Sequence, residues 1–355
     1  MKMTSENRKP SFYLAVFATT LALLVVLLGV FTRLKHAGLG CPDWPTCYGH
    51  LWVPNTPEEI NAANQSFAAT PVETDKTWPE QIHRIFVGGL SVFVLLLAGA
   101  AIRFRDHAAQ PFKLPLLLLA VIVVQALFGM WTVTLKLWPQ VVTGHLLGGF
   151  ATLSLLGLLA QRLGNFSWQL DMEAWQSVRK LRVLSAVALL VVIAQIALGG
   201  WTSSNYAALA CPDLPMCQNQ WLPAMDIRQG FDVFQHIGPN YLGGRLDNQA
   251  RVAIHLAHRI GAVVTTCTLL LVITGLLVSG VRQARGMAAV IGCLLCLQVC
   301  LGVSNVLFAL PLPVAVAHNG VGALLLLAIV TLNHRVFTAR LVSQTGAGFL
   351  SVSAI

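Results

Sequence analysis

Charged side chains are scarce in this sequence. Only 10% of its 355 residues are Asp, Glu, Lys or Arg, whereas about 25% is usual in soluble domains. In their place stand hydrophobic residues, at 56% of the chain, and the mean hydropathy is +0.70. This composition excludes an ordinary soluble domain and indicates a polypeptide that lies largely in lipid.

Acidic residues are the scarcer of the charged ones, with 14 Asp and Glu against 23 Lys and Arg, which gives a formal charge of +9. A basic chain of this kind suggests nucleic acid as a partner. However, the basic residues are spread between apolar runs and form no basic face interleaved with aromatic side chains. We therefore exclude nucleic acid and interpret the positive charge as a signal of membrane topology.

Eight apolar runs are long enough to cross a bilayer, which requires about 20 helical residues. The first run is too long for a signal peptide, and no small-residue cleavage site follows it before Arg33, so we predict that it stays as a helix. The eight predicted spans lie at about 12–32, 82–102, 114–136, 140–161, 181–202, 253–279, 287–310 and 313–333.

Basic residues also indicate which side of the membrane each segment faces. With the N-terminus inside, 14 of the 23 Lys and Arg fall in cytoplasmic segments. They are Lys2, Arg8, Lys9, Arg103, Arg105, Lys113, Arg162, Arg179, Lys180, Arg182, Arg282, Arg285, Arg335 and Arg340. The positive-inside rule therefore predicts that both termini are cytoplasmic.

The chain contains an internal duplication, because matching residues recur in the same order at a nearly constant offset of 170 to 175 positions. The matched pairs are 41–47 with 211–217, His83 with His258, Gln125 with Gln298, Gly129 with Gly302, and His145 with His318. We predict two similar halves, residues 1–170 and 171–355. Four spans per half is an even number, so both halves share one orientation in the membrane.

The predicted fold class follows from these counts. It is an all-α integral membrane protein whose eight transmembrane helices form two pseudo-symmetric four-helix bundles. Each half has one long outer loop, at 33–79 and 203–251. The stretch 57–64 of the first loop is long enough to form a surface helix.

Each outer loop carries a pair of cysteines in a Cys-x5-Cys stretch, Cys41 with Cys47 and Cys211 with Cys217. On an oxidising outer face each pair can close a small disulfide ring. A zinc site is the alternative, but no loop histidine recurs at matching positions, so the pattern favours disulfides. The other cysteines fall within spans, where we expect small apolar packing residues; they are Cys267, Cys293, Cys296 and Cys300.

Four of the ten histidines fall a few residues inside the outer end of a span: His83, His145, His258 and His318. Ionisable residues within a membrane mark functional sites by default, although one alone more often bonds a neighbouring helix. Two equivalent pairs favour a shared function. Two imidazoles do not complete a structural zinc site, whereas a haem iron takes two axial ligands. We therefore predict one haem-sized site in each half.

The two halves differ one helical turn before the first histidine of each pair. Glu80 precedes His83 by three residues, and His255 precedes His258 by three. Residues three apart share a helix face, so we predict that Glu80 projects toward the cavity of His83 and acts there on protons or on developing charge. The alternative is that Glu80 pairs with Arg84. In the second half, His255 and His258 are therefore both candidates for the same ligand position.

These histidines stand in motifs that resemble those of the haem A synthase family of bacteria and mitochondria, across essentially all eight spans. The motifs are Glu80-Gln81-Ile82-His83-Arg84, Gly144-His145, Ala257-His258-Arg259 and Ala317-His318-Asn319. The resemblance implies an oxidoreductase of terminal oxidase assembly. Such an enzyme oxidises the ring methyl of haem O to a formyl group by successive water-dependent hydroxylations.

The resemblance also implies roles for single residues. Glu80 would be the catalytic carboxylate, His83 and His145 would bind the substrate haem, and His258 and His318 would be axial ligands of a haem B iron. The cysteine pairs place the chain in the class in which they bear on haem transfer. The bacterial inner membrane is the implied location. The electron acceptor, contact with haem O synthase and assembly into a homo-oligomer stay open.

Two other classes of function fit these features less well. A di-haem cytochrome b that only moves electrons has no need of a carboxylate at one of its two sites. A transporter with parallel repeats would have paired interruptions at mid-membrane, and the spans lack them.

Overall fold

The computed structural model describes residues 9–106 and 110–342, so Lys2 and Arg8 of the predicted cytoplasmic N-terminus lie outside the described residues. Its elements are α1 (Lys9–Leu34), α2 (Pro57–Ser66), α3 (Thr74–Arg103), α4 (Lys113–Thr134), α5 (Pro139–Leu163), β1 (Gln169–Leu170), α6 (Met172–Ser204), α7 (Ile227–Gly230), α8 (Asn248–Val278), α9 (Arg282–Leu307), α10 (Leu312–Phe337) and β2 (Arg340–Leu341).

Within these described ranges, eight helices are long and apolar enough to cross a membrane: all except α2 and α7. Every predicted span is confirmed, and the chain is a multi-pass membrane protein. An apolar run in lipid becomes a helix because only the helix satisfies each backbone N–H and C=O within one segment. Several helices extend past their apolar runs; α3, for example, begins at Thr74 and α6 at Met172.

The helices of each half pack in the same order. Helix α3 packs against α1 and α4, and α5 packs against the same two, so α3 and α5 lie diagonally across a four-helix bundle. In the second half α8 and α10 lie diagonally, with α6 and α9 between them. The halves meet through α1, α5, α6 and α10. The helices that carry the histidine pairs are therefore the diagonal ones.

Two equivalent turns lead into α5 and α10. Lys136 and Leu137 have positive φ angles of 49° and 61°, and Ala309 and Leu310 have φ angles of 54° and 64°. Such values are uncommon for residues other than glycine. A proline then occupies the first turn of each following helix, where its missing N–H costs nothing.

Both predicted disulfides are formed, Cys41 with Cys47 and Cys211 with Cys217. We call residues 41–47 the first cysteine loop and residues 211–217 the second. The zinc alternative finds no support, since no group of three or more metal-binding side chains occurs among the residues that the structure describes. The predicted surface helix is also present as α2, which begins with a capping box.

The prediction for the four remaining cysteines was wrong. Cys267, Cys293, Cys296 and Cys300 are exposed on α8 and α9, so they face outward from the bundle. Within the described part of the chain, helix α9 packs chiefly against α8 and α10, so much of its surface faces outward.

An aspartate organises each cysteine loop. Asp43 accepts hydrogen bonds from the Thr46 hydroxyl and from the N–H groups of Tyr48 (2.6 Å) and Gly49 (2.9 Å). Asp213 accepts the equivalent two N–H bonds in the second loop. Burial acts to raise the pKa of Asp43, but the three hydrogen bonds outweigh it and the pKa lies below its usual range.

We predict that Asp43→Ala speeds reduction of the Cys41–Cys47 disulfide roughly a hundredfold at pH 7, because three hydrogen bonds are lost and each is worth about 1 kcal/mol. A lowered native pKa means that this stabilisation is present above the unfolded pKa near 4 and is lost as pH falls through the native value. The unmodified loop should therefore open faster below about pH 4. Reduction by a phosphine followed by mass spectrometry measures both rates.

Asp213→Ala is the matched control and should accelerate reduction of the second disulfide alone. An unchanged rate for Cys41–Cys47 in Asp43→Ala would show that the aspartate does not hold the loop.

Candidate functional site

The predicted histidine pair of the first half faces across the bundle core. His83 on α3 and His145 on α5 have ring centroids 6.5 Å apart and perpendicular ring planes. The Nδ1 atom of each ring is buried and has no hydrogen-bond partner within the described part of the chain. A buried polar atom without a partner is costly in an apolar medium. Nδ1 of His318 in the second half is unpartnered in the same way. Ring nitrogens in both halves are therefore available to a bound ligand.

In the second half, glutamines contact the two histidines. Nε2 of Gln195 lies 3.1 Å from Nδ1 of His258 and donates to the His258 carbonyl at 3.0 Å. Nε2 of Gln298 lies 3.3 Å from Nε2 of His318. The duplication had identified Gln298, but it gave no signal for Gln195, because the position 170 residues earlier is Val25.

Each of the four imidazoles lies against a glycine of a neighbouring helix. A Cβ added to that glycine would lie within 2.9 to 3.4 Å of the ring Cε1 atom, closer than most real contacts. The pairs are Gly29 with His83, Gly129 with His145, Gly199 with His258, and Gly302 with His318. Of these four glycines, only Gly129 and Gly302 were recognisable in the sequence, as members of the repeat. We call these four positions the glycine seats.

These features fit a haem held between two histidines in each half. The rings are partly buried in an apolar bundle and are carried by diagonal helices, and buried ring nitrogens are left without partners among the described residues. A haem iron takes two axial nitrogen ligands, and helical bundles hold cofactors in their cores.

Glu80 forms a buried ion pair with Arg84, and the distance from its Oε1 to Nη2 of Arg84 is 2.6 Å. Its Oε2 accepts a hydrogen bond of 2.9 Å from the backbone N–H of Cys41. The pairing with Arg84, which the sequence had left as an alternative, is therefore formed. Both contacts direct the carboxylate toward the first cysteine loop, and its catalytic role stays a prediction.

His255 makes in the second half the loop contact that Glu80 makes in the first. Its Nδ1 accepts a hydrogen bond of 3.2 Å from the backbone N–H of Cys211. The ring of His255 is thus engaged with the second cysteine loop, while His258 lies against Gly199 and Gln195. This placement favours His258 over His255 as the ligand.

Two equivalent arginines bind the cysteine loops through main-chain oxygens. Arg84 donates to the carbonyls of Asp43 (2.8 Å) and Thr46 (2.6 Å). Arg259 donates to those of Met216 (2.9 Å) and Cys211 (2.8 Å). Each loop is therefore fixed to the helix that carries the first histidine of its pair.

We predict that Arg84→Met destabilises the protein by about 3–5 kcal/mol, because it leaves the buried Glu80 carboxylate without its counter-ion. Arg259→Met is the matched control. It should reduce the free energy of unfolding by less, because the neighbouring His255 is neutral and needs no counter-ion. Thermal unfolding in detergent measures which of the two arginine substitutions destabilises the protein more. The double variant Arg84→Met, Glu80→Met should recover most of the loss, and equal losses for the two arginines would contradict the ion-pair argument.

Comparison with known proteins agrees with the earlier resemblance. A family model named COX15-CtaA, described as cytochrome oxidase assembly protein, matches residues 12–330. The heme A synthase of Shewanella oneidensis is 48% identical over 312 residues, which cover 88% of this chain and 92% of that protein. The heme A synthase of Orientia tsutsugamushi (strain Ikeda) is 24% identical over 88% of this chain and 92% of its own length. Since the family match covers nearly all of the spans, the chain belongs to the COX15-CtaA family of cytochrome oxidase assembly proteins.

Proposed function

We propose that this protein is a haem A synthase, an oxidoreductase that converts haem O to haem A in support of terminal oxidase assembly. The observation that carries the proposal is a duplicated pair of partly buried histidines on diagonal helices, in which the first copy has a carboxylate where the second has a histidine. The 48% identity to a heme A synthase supports the same conclusion.

The reaction oxidises a ring methyl to a formyl group with water as the oxygen source. Each hydroxylation adds one oxygen from water and releases two electrons and two protons. After the second hydroxylation the carbon carries two hydroxyl groups, and loss of one water leaves the formyl group. The site must therefore provide a base near the methyl and a route for electrons to leave.

In this proposal the first half is the substrate site. His83 and His145 hold the haem O substrate from opposite faces, and the glycine seats fix the directions of their rings. Glu80, one turn before His83, accepts a proton from the water that attacks the methyl carbon. Arg84 and the Cys41 N–H hold the carboxylate in place.

The second half is the cofactor site, in which His258 and His318 would ligate haem B. When bound, haem B supplies a redox centre that receives electrons and passes them on. Gln195 and Gln298 lie beside these rings, with their amide nitrogens 3.1 Å from Nδ1 of His258 and 3.3 Å from Nε2 of His318. The neutral His255 replaces the carboxylate, as expected where no proton has to be removed from a substrate.

The family and the charge distribution support a proposal for the location. We propose that the protein lies in the bacterial inner membrane with both termini cytoplasmic and both cysteine loops on the outer side. Haem O synthase is the partner whose product this site consumes.

We predict that Glu80→His abolishes haem A formation while the first cysteine loop stays closed. The substitution gives the first half the residue of the second, and a histidine accepts the Cys41 N–H as His255 accepts that of Cys211. Loss of activity would then reflect loss of the carboxylate and not of loop anchoring. Haem extraction from membranes should show haem O or a hydroxylated intermediate in place of haem A.

His255→Glu is the reciprocal control and should retain haem A formation. Near-normal haem A output from Glu80→His would show that the carboxylate acts only as a loop anchor.

We predict that His258→Ala and Gly199→Val each remove the haem B absorbance of the purified protein, the first by deleting a ligand and the second by displacing its ring. Gly88→Val is the matched control, because a Cβ at Gly88 meets nothing within 4 Å. The visible spectrum measures bound haem independently of activity. A normal haem B spectrum in His258→Ala would contradict the assignment of this ligand.

A further inference from the structure

After each disulfide ring the chain presents an exposed apolar pair. Leu51 and Trp52 are 86% and 43% exposed, and Trp221 and Leu222 are 75% and 78% exposed. Each pair follows the second cysteine of its loop by four and five residues. We call these two pairs the loop tips. Single exposed apolar residues are common on proteins, but the same pair at the same place in both halves points to a shared contact.

Hydrogen bonding fixes the depth of the first tip. The carbonyl of Leu51 accepts a 2.7 Å bond from Nε2 of Gln81, which directly precedes the apolar run at 82–102 of α3. Trp78 and Ile85 lie three residues before and four after Gln81, on the same helix face. They are 40% and 47% exposed, as expected of side chains that face lipid. Leu51 therefore continues the lipid-facing surface of α3.

The second cysteine loop is held at a similar depth relative to the membrane spans. Arg259, which binds the carbonyls of Met216 and Cys211, lies six residues inside the apolar run that starts at 253, or about 9 Å along the helix. Ile260 and Val263 beside it are each 64% exposed. Both cysteine loops thus lie beside the ends of membrane spans and not far out in water.

The tips are also held rigidly. An antiparallel bridge joins Cys47 to His50 directly before the first tip, and another joins Cys217 to Gln220 directly before the second. The disulfide and the aspartate hydrogen bonds of each cysteine loop restrain the residues that precede the bridge. A preorganised surface loses little further freedom on binding.

We propose that the two loop tips are inserted in the lipid headgroup region of the outer leaflet and anchor the cysteine loops there. Tryptophan is favoured at this level because its ring is apolar and its N–H is polar. The depth of Gln81 and Arg259 favours lipid over a water-soluble partner. The first anchored loop is the one whose Cys41 N–H binds Glu80, so the membrane surface helps to hold the loop that covers this carboxylate.

Spin labels on the full chain in lipid nanodiscs test this proposal. Cys267, Cys293, Cys296 and Cys300 are first replaced by alanine. Single cysteines are then introduced as Leu51→Cys and Leu222→Cys and labelled with a nitroxide under non-reducing conditions. Ile85→Cys is the lipid-facing reference, and Glu58→Cys on the polar helix α2 is the aqueous reference. Collision rates with oxygen and with a water-soluble nickel chelate report the depth of each label.

We expect the oxygen-to-nickel collision ratios at 51 and 222 to lie several-fold above that at 58 and to approach that at 85. Ratios equal to that at 58 would place the tips in water and overturn the proposal, leaving a soluble partner as the occupant. Immobile labels that neither reagent reaches would also overturn it, since they would show coverage by protein.

A second measurement avoids new cysteines near the disulfides. Brominated phospholipids quench the fluorescence of nearby tryptophans. The emission of Trp221 is the difference between the unmodified protein and Trp221→Phe. We expect this emission to be strongly quenched. An unquenched component would contradict anchoring of the second tip. Neither measurement depends on haem, so failure here is distinguishable from failure of the proposed function.

Discussion

The arrangement of this protein depends on the cost of placing an imidazole inside an apolar bundle. Each buried ring nitrogen needs a partner, and each ring needs space among closely packed helices. The glycine seats provide the space, because α1, α4, α6 and α9 each lack a side chain where a histidine ring lies. The diagonal helices then bring two rings toward one another across the core. The Nδ1 atoms of His83, His145 and His318 are left without a side-chain partner among the described residues.

The duplication preserved this geometry and changed the chemistry around it at two places. Gln195 contacts His258, whereas the corresponding position in the first half is the apolar Val25. Glu80 contacts the first cysteine loop, and the neutral His255 takes its place in the second. The two halves therefore share one arrangement of histidines and differ in the groups beside them, with a carboxylate in the first half where the second has an imidazole.

Much of this arrangement was predictable from the sequence, because lipid imposes long apolar runs and the duplication imposes constant offsets. These two signals predicted the eight spans, the histidine pairs and both cysteine pairs. They failed where a contact depends on how elements far apart in sequence pack. Gln195 has no polar counterpart in the repeat, and Gly29 and Gly199 are two of 29 glycines. Hydropathy alone also does not tell which face of α9 meets lipid, so its cysteines were placed wrongly. The bond from Cys41 to Glu80 joins residues 39 apart, and no local pattern encodes it.

The two cysteine loops show how main-chain contacts allowed the halves to diverge. Arg84 and Arg259 bind loop carbonyls, and Glu80 and His255 accept loop N–H groups. Such contacts constrain the backbone path and leave the loop side chains free to vary. Directly before the first cysteine loop, the backbone at Gly40 lies so close to α3 that an added Cβ would clash with the carbonyl oxygen of Lys76. The equivalent residue in the second half is alanine, at position 210. The chain that enters the first cysteine loop therefore lies closer to α3 than a Cβ at position 40 allows.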